Sequence, residues 1–161
     1  GRGITDVIYL VNLLFIEDDI TAIRYYTKDN VETINATLND LANRLEQKNI
    51  KLIILAGFMR ILGETFISRW RNKIVNVHPS LLPAFKGSHA IKEAWEYGVK
   101  VTGVTIHYVD ERMDEGEIIA QKIVNVTKKD TLETLEQKIH KVEHKLYPTV
   151  IKKLLNDQNT N

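Results

Sequence analysis

The sequence predicts an α/β protein with a mostly parallel sheet that carries helices on both faces. Segments rich in β-branched residues alternate along the chain with segments of helical periodicity, an order typical of α/β sheets. The run at residues 51–56 is almost entirely apolar, which indicates a strand buried on both sides by helices. A second predicted strand, at residues 73–77, ends beside His78, and open parallel sheets bind ligands beyond the carboxyl ends of their strands.

Composition and charge disfavour several classes of protein. A chain of 161 residues with 43% hydrophobic content fits one domain with a real core, so we expect a single domain over residues 1–161. The net charge of +1 argues against nucleic-acid or anionic-membrane partners. The absence of cysteine excludes disulfides and thiolate metal sites and fits a cytoplasmic protein. The apolar run at residues 7–16 is shorter than the roughly 20 residues that cross a bilayer.

The first elements come before the buried strand. A β-prone run at residues 20–26 precedes a segment in which apolar residues recur at steps of three and four, with Asp29 or Asn30 as the polar cap. This spacing predicts an amphipathic helix whose apolar face consists of Val31, Ile34, Leu38, Leu41 and Leu45.

The middle of the chain contains two strands and a short helix. Residues 51–56 form the predicted buried strand, and residues 64–71 predict a short helix. The next strand, residues 73–77, must stop near His78 because Pro79 has no backbone N–H to donate to a neighbouring strand.

Four elements follow the His-Pro pair. Residues 89–97 predict a helix, which Gly98 ends because glycine readily adopts the left-handed conformation of a helix C-terminus. Residues 101–109 alternate as a strand, residues 110–116 form a charged loop, and residues 118–126 predict a further strand.

The chain closes with a predicted helix capped by Asp130, with Glu133 three residues further on. Pro148 is expected to kink or end this helix, since proline removes a helical hydrogen bond. The buried stripe of the helix comprises Leu132, Leu135, Ile139, Val142 and Leu146.

Three side chains suggest chemistry before any family is considered. The imidazole of His78 can move a proton near neutral pH, and the amide of Asn76 lies two residues earlier on the same strand face. Such an amide can donate to an oxygen that gains negative charge. Asp114, in the charged loop, is the best candidate for a carboxylate that stabilises protonated His78. The alternative is that His78 is an ordinary hydrogen-bonded residue of a turn.

Two other features keep structural explanations open. His107 lies in an alternating strand, where a hydrogen-bonded core or cleft imidazole is the default interpretation. Residues 58–62 follow the buried strand and either pack simply, with Arg60 solvated, or form the floor of a pocket for a flat aromatic ligand.

Four blocks in this order resemble the phosphoribosylglycinamide formyltransferase family: LAGFMRIL at residues 55–62, NVHPSLLP at 76–83, TGVTIHYV at 102–109 and MDEGEIIAQ at 113–121. The resemblance covers roughly residues 19–155. It implies a Rossmann-like formyltransferase fold. It also implies formyl transfer from 10-formyltetrahydrofolate, a cosubstrate, to the amine of glycinamide ribonucleotide in purine synthesis, without a metal.

The resemblance also implies roles for individual residues. His78 transfers protons, Asn76 donates to the formyl oxygen, and Asp114 holds His78 protonated. Glu143 contacts the ribonucleotide. The residues implied to line the folate pocket are Met59, Arg60, Ile61, Leu62, Asp110, Glu111, Arg112 and Met113.

The start of the chain departs from the family pattern. Members of the family open with a strand and a Gly-Ser-Asn loop at a helix N-terminus, whose backbone N–H groups bind the substrate phosphate. Only residues 1–3 resemble that loop, which makes Gly3 a candidate phosphate ligand. The segment between Gly3 and Asp19 is too short for the expected strands and helices, so we expect that segments of the natural chain are missing.

Related activities remain as alternatives. A 10-formyltetrahydrofolate hydrolase typically carries a second histidine where this chain has Pro79, together with an N-terminal regulatory domain. Methionyl-tRNA formyltransferases add a domain and a basic surface for tRNA. An inactive folate-binding remnant is the third alternative. The sequence leaves open whether the protein is a monomer or a homodimer.

Overall fold

A computed structural model of the protein describes residues 7–10, 43, 45–47, 50–55 and 63–159. The elements with defined bounds, in chain order, are β1 (Val7–Leu10), β2 (Leu52–Leu55), α1 (Glu64–Arg69), β3 (Ile74–His78), α2 (Ala90–Tyr97), β4 (Val101–Tyr108), β5 (Ile118–Asn125) and α3 (Leu132–Asn159). Of the predicted helix at residues 31–45, only residues 43 and 45 are described, and both are helical. The predicted run at residues 20–26 lies outside the described residues.

The described strands form one open sheet in the order β1-β2-β3-β4-β5. The first three strands are parallel, whereas β4 runs antiparallel to β3 and β5 antiparallel to β4. The predicted α/β fold is therefore confirmed, but the described sheet is mixed rather than mostly parallel. One reason is the connection at residues 109–117, which contains no helix and returns the chain directly alongside β4.

The two faces of β3 and β4 differ in polarity. Val75, Val104 and Ile106 are fully buried and pack, with other strand residues, against one side of α3. The buried residues that α3 contributes to these clusters are Leu135, Ile139, Tyr147, Val150 and Ile151. Because successive strand residues point to opposite faces, the polar side chains of Asn76, His78, Thr105 and His107 lie on the other face.

α3 differs from its prediction at both ends. Thr131 rather than Asp130 occupies the N-cap position, since its hydroxyl accepts the backbone N–H of Thr134 at 3.1 Å. The helix also continues past Pro148 to Asn159. Burial of the apolar side chains that follow Pro148 offsets the roughly 3 kcal/mol that an internal proline costs.

Other elements match their predictions closely. β2, α1, α2 and β5 lie within their predicted segments, and Gly98 ends α2 with a left-handed φ of 85°. β1 was not predicted as a strand; it pairs in parallel with β2. Among the helices of the described residues, none is long and apolar enough to cross a membrane.

Candidate active site

Four polar side chains lie side by side on the sheet face opposite α3. In the antiparallel pairing of β3 with β4, Asn76 stands opposite His107 and His78 opposite Thr105. His78 is only 4% exposed and His107 only 2%. Buried polar groups need hydrogen-bond partners, so the partners of this cluster define what it can do.

Both ring nitrogens of His78 face an oxygen acceptor. Nε2 lies 2.8 Å from the carbonyl oxygen of Phe85, to which it donates. Nδ1 lies 3.5 Å from Oδ1 of Asp114. A ring protonated on both nitrogens therefore has an acceptor beside each N–H, with a carboxylate next to the positive charge.

Asp114 reaches this position from the loop between β4 and β5. Its side chain is 11% exposed, and its second oxygen accepts the backbone N–H of Gly87 at 2.8 Å. Its φ of 54° lies in the left-handed region, which aspartate tolerates better than most residues. The carboxylate thus joins two loops that are separate in the sequence.

Asn76 points at His107 rather than directly at His78. Its Nδ2 lies 3.5 Å from Nε2 of His107, whose Nδ1 donates to the carbonyl of Tyr108 at 2.9 Å. Burial lowers the pKa of His107, which favours the neutral ring with a lone pair on Nε2. Oδ1 of Asn76 is buried, and the described residues provide no hydrogen-bond partner for it. The amide therefore retains an unused oxygen acceptor.

A second hydrogen-bond network holds the loop that follows β3. The hydroxyl of Thr105 donates to the carbonyl of Ser80 at 2.7 Å and accepts the backbone N–H of Leu82 at 3.0 Å. Gln121 on β5 donates to this hydroxyl and to the carbonyl of Leu82, both at 3.0 Å. These bonds fix the course of the loop that leads to the Phe85 carbonyl.

Sequence reasoning assigned no role to Ser80, Thr105 or Gln121. A signal existed for Thr105, because it shares a strand face with His107 two residues further on. The contact between His78 and the Phe85 carbonyl had no signal, since backbone acceptors are invisible in a sequence.

The predicted folate-pocket residues 110–113 occupy the loop that carries Asp114. A hydrogen bond from Arg112, 2.5 Å long, holds the pKa of Asp110 below its usual range. Arg71, which follows α1, hydrogen-bonds Glu111 and lowers the pKa of that carboxyl. Met113 is exposed. The charged side chains of this loop are therefore paired, and one of the pairs ties the loop to the segment after α1.

The remaining predicted site residues are not brought to this cluster by any described contact. Glu143 lies on α3, where its carboxylate is 3.2 Å from Nδ1 of His140. Five predicted site residues lie outside the described residues. They are Gly3 and the other predicted folate-pocket residues, Met59, Arg60, Ile61 and Leu62. Within the described part of the chain, no group of three or more histidine or acidic side chains is placed to hold a metal ion.

Comparison with known proteins supplies the family. A protein-family model described as formyl transferase matches residues 15–151 of this chain. Phosphoribosylglycinamide formyltransferase of Bacillus subtilis is 54% identical over 119 residues, which are 74% of this chain and 61% of that protein. The human trifunctional purine biosynthetic protein adenosine-3 is 49% identical over 107 residues, 66% of this chain and 11% of that protein.

Solved structures agree with the sequence comparison. Phosphoribosylglycinamide formyltransferase from Bacillus halodurans superimposes with a TM-score of 0.74 at 50% identity, covering 84% of this chain and 69% of that one. The enzyme of that name from Streptococcus pneumoniae gives a TM-score of 0.79 at 32% identity, and the match covers 92% of this chain and 97% of that one. Since both the fold and most of the sequence match, the predicted resemblance is confirmed, and the chain belongs to the formyl transferase family.

Proposed function

We propose that the protein transfers a formyl group from 10-formyltetrahydrofolate to the amine of glycinamide ribonucleotide, as a cytoplasmic enzyme of purine synthesis. The observation that carries the proposal is the convergence of an amide, an imidazole and a carboxylate on one sheet face. The names of the relatives support the choice of substrates, although the chain spans only 61% of the Bacillus subtilis protein.

In the proposed reaction the ribonucleotide amine attacks the formyl carbon, and a carbon–nitrogen bond forms while the carbonyl oxygen becomes negative. The amide of Asn76 and protonated His78 donate to this oxygen, with Asp114 beside the imidazole. Collapse of the intermediate breaks the bond between the formyl carbon and the folate nitrogen N10. The proton lost by the attacking amine is balanced by the proton that N10 gains.

His78 has to exchange one partner for this role. Its Nε2 bonds to the Phe85 carbonyl, so donation from this nitrogen to a substrate replaces that bond. The buried, unused Oδ1 of Asn76 is a second acceptor, suited to an N–H of the attacking amine. Orienting these groups before the reaction lowers the barrier, because little reorganisation remains for the reaction itself.

The binding residues of the proposal follow the family resemblance. Asp110, Glu111, Arg112 and Met113 line the folate pocket together with residues 59–62. The ribonucleotide contacts Glu143 and, through its phosphate, Gly3. No metal takes part in the proposed chemistry.

A spectrophotometric assay with 10-formyltetrahydrofolate tests the proposal. Turnover that requires glycinamide ribonucleotide supports it, whereas turnover without the ribonucleotide indicates a hydrolase. Folate binding without any turnover indicates an inactive remnant.

Replacing the carboxylate tests its role in the same assay. Asp114→Asn should lower kcat by on the order of 100-fold while folate affinity changes little, because the lost charge acts on the imidazole rather than on the pterin. Glu96→Gln, an exposed change on α2, is the control and should leave kcat unchanged. Normal turnover of Asp114→Asn across the pH range would remove the carboxylate from the mechanism.

A further inference from the structure

Three consecutive residues of the loop after β3 contact the machinery around His78 and Asp114. The Phe85 carbonyl accepts from His78, and the Gly87 N–H donates to Asp114 at 2.8 Å. Between them, Nζ of Lys86 lies 2.5 Å from Oε1 of Glu115, the residue after Asp114. The adjacent residues Lys86 and Gly87 of one loop thus contact the adjacent residues Glu115 and Asp114 of the other.

Each of the two loops has one residue in an unfavourable backbone conformation near this contact. Phe85 has a φ of 52° and Asp114 a φ of 54°, and neither is a glycine. Residues with side chains populate the left-handed region at an energetic cost, and they stay there only when surrounding contacts hold them. The contacts between the two loops thus help to hold the carboxylate toward the imidazole.

The charged pair is well placed to supply that support. The hydrogen bond from Lys86 lowers the pKa of Glu115, which keeps this carboxylate charged near neutral pH. Arg112 also faces Glu115, with Nε 3.7 Å from Oε2, but it belongs to the same loop and does not bridge to the other. Lys86 and Glu115 are each somewhat over one-third exposed, which leaves them outside the buried cluster.

We propose that Lys86 and Glu115 are positioning residues, whose ion pair latches the two loops together and holds the Asp114 carboxylate toward His78. In the proposed reaction, the ion pair contacts neither the attacking amine nor the formyl group. Its effect on formyl transfer rests on the proposed function, whereas its effect on the Gly87–Asp114 hydrogen bond does not.

The test compares Lys86→Met, Glu115→Gln and the double variant with wild type. Lys92→Met is the matched control, because Lys92 forms an exposed pair with Glu96 within α2 and does not bridge the two loops. The measurements are kcat, the KM values of both substrates, the thermal unfolding midpoint, and hydrogen exchange of the Gly87 amide by NMR.

Each single variant should lower kcat about fivefold, the upper range for an exposed ion pair, with KM values nearly unchanged. Gly87 exchange should accelerate about fivefold, since exchange requires opening of its bond to Asp114. The double variant should be no worse than either single variant, because both remove one interaction.

Three results would overturn the proposal: unchanged Gly87 exchange, additive losses in the double variant, or a raised KM for the ribonucleotide with normal kcat. The last would make Lys86 a direct substrate ligand. If wild type transfers no formyl group, the proposed function fails, and the exchange measurement still decides whether the latch exists.

Discussion

The two faces of β3 and β4 use the same backbone for different purposes. One face presents Val75, Val104 and Ile106 to α3 and is mainly apolar, although it also carries the buried Thr102. The other presents the half-buried Asn76 and the buried His78, opposite the buried His107 and Thr105 of β4. Neighbouring residues of one strand, such as Val75 and Asn76, therefore contribute to packing or to chemistry according to the face on which each lies.

The difference shows how the cost of burying polar groups is met. The apolar face gains free energy simply from leaving water, at about 25 cal/mol per Å². The polar face gains little from burial and depends on specific partners, such as the Phe85 carbonyl for His78. Stability and activity should consequently respond to different substitutions.

His78→Ala should produce the largest effect and sharpen the contrast. Formyl transfer should fall by about 10³-fold, because proton transfer and charge stabilisation are both lost. Folate binding should change little, whereas the unfolding midpoint should fall modestly because the Phe85 carbonyl loses its donor. The measurements are kcat, the folate dissociation constant and thermal denaturation; a comparable loss of folate binding would show that the role of His78 is misassigned.

Ile106→Ala should instead lower the stability of the fold and leave turnover nearly unchanged. Ile106 is fully buried against α3, and removing its side chain should cost about 2–5 kcal/mol in the free energy of unfolding. Turnover per folded molecule should stay within about twofold of wild type.

The control for this prediction is Ile123→Ala on β5. Ile123 is 59% exposed, so its truncation should change stability by less than about 0.5 kcal/mol. Denaturant unfolding and the formyl-transfer assay measure both variants. A stable but inactive Ile106→Ala protein would contradict the separation of the two faces.

The smallest predicted effect concerns the pH dependence of stability on the polar face. Burial lowers the pKa of His107 in the folded state below its ordinary value of 6.5. Between these two pKa values the unfolded chain binds more protons at this site, so acidification below pH 6.5 destabilises the folded protein.

The slope due to His107 is at most about 1.4 kcal/mol per pH unit, and it vanishes above the unfolded pKa. His107→Gln should therefore flatten the stability profile just below pH 6.5, even though the variant is less stable overall. Denaturant unfolding from pH 5 to 8 measures the profile. An equal slope in both proteins would mean that folding does not lower the pKa of His107.

Much of the site was predictable because it depends on local pattern. The apolar run before His78 and the alternation of β4 predicted the strands that carry Asn76 and His107, and the charged loop with Gly116 predicted the turn that carries Asp114. α3 was predictable from its apolar stripe. Its passage through Pro148 was not, since that depends on the buried residues of the following turns.

The sequence by itself determined the strand segments, the faces of the helices and the family of this protein, because side-chain periodicity and motif order are properties of the chain alone. Only the tertiary structure decided that β4 runs antiparallel to β3, that His107 stands beside Asn76, and that Phe85 and Gly87 supply the partners of His78 and Asp114. These contacts join backbone groups and loops far apart in the chain. Their formation depends on the three-dimensional path of the polypeptide, which no local pattern of residues encodes.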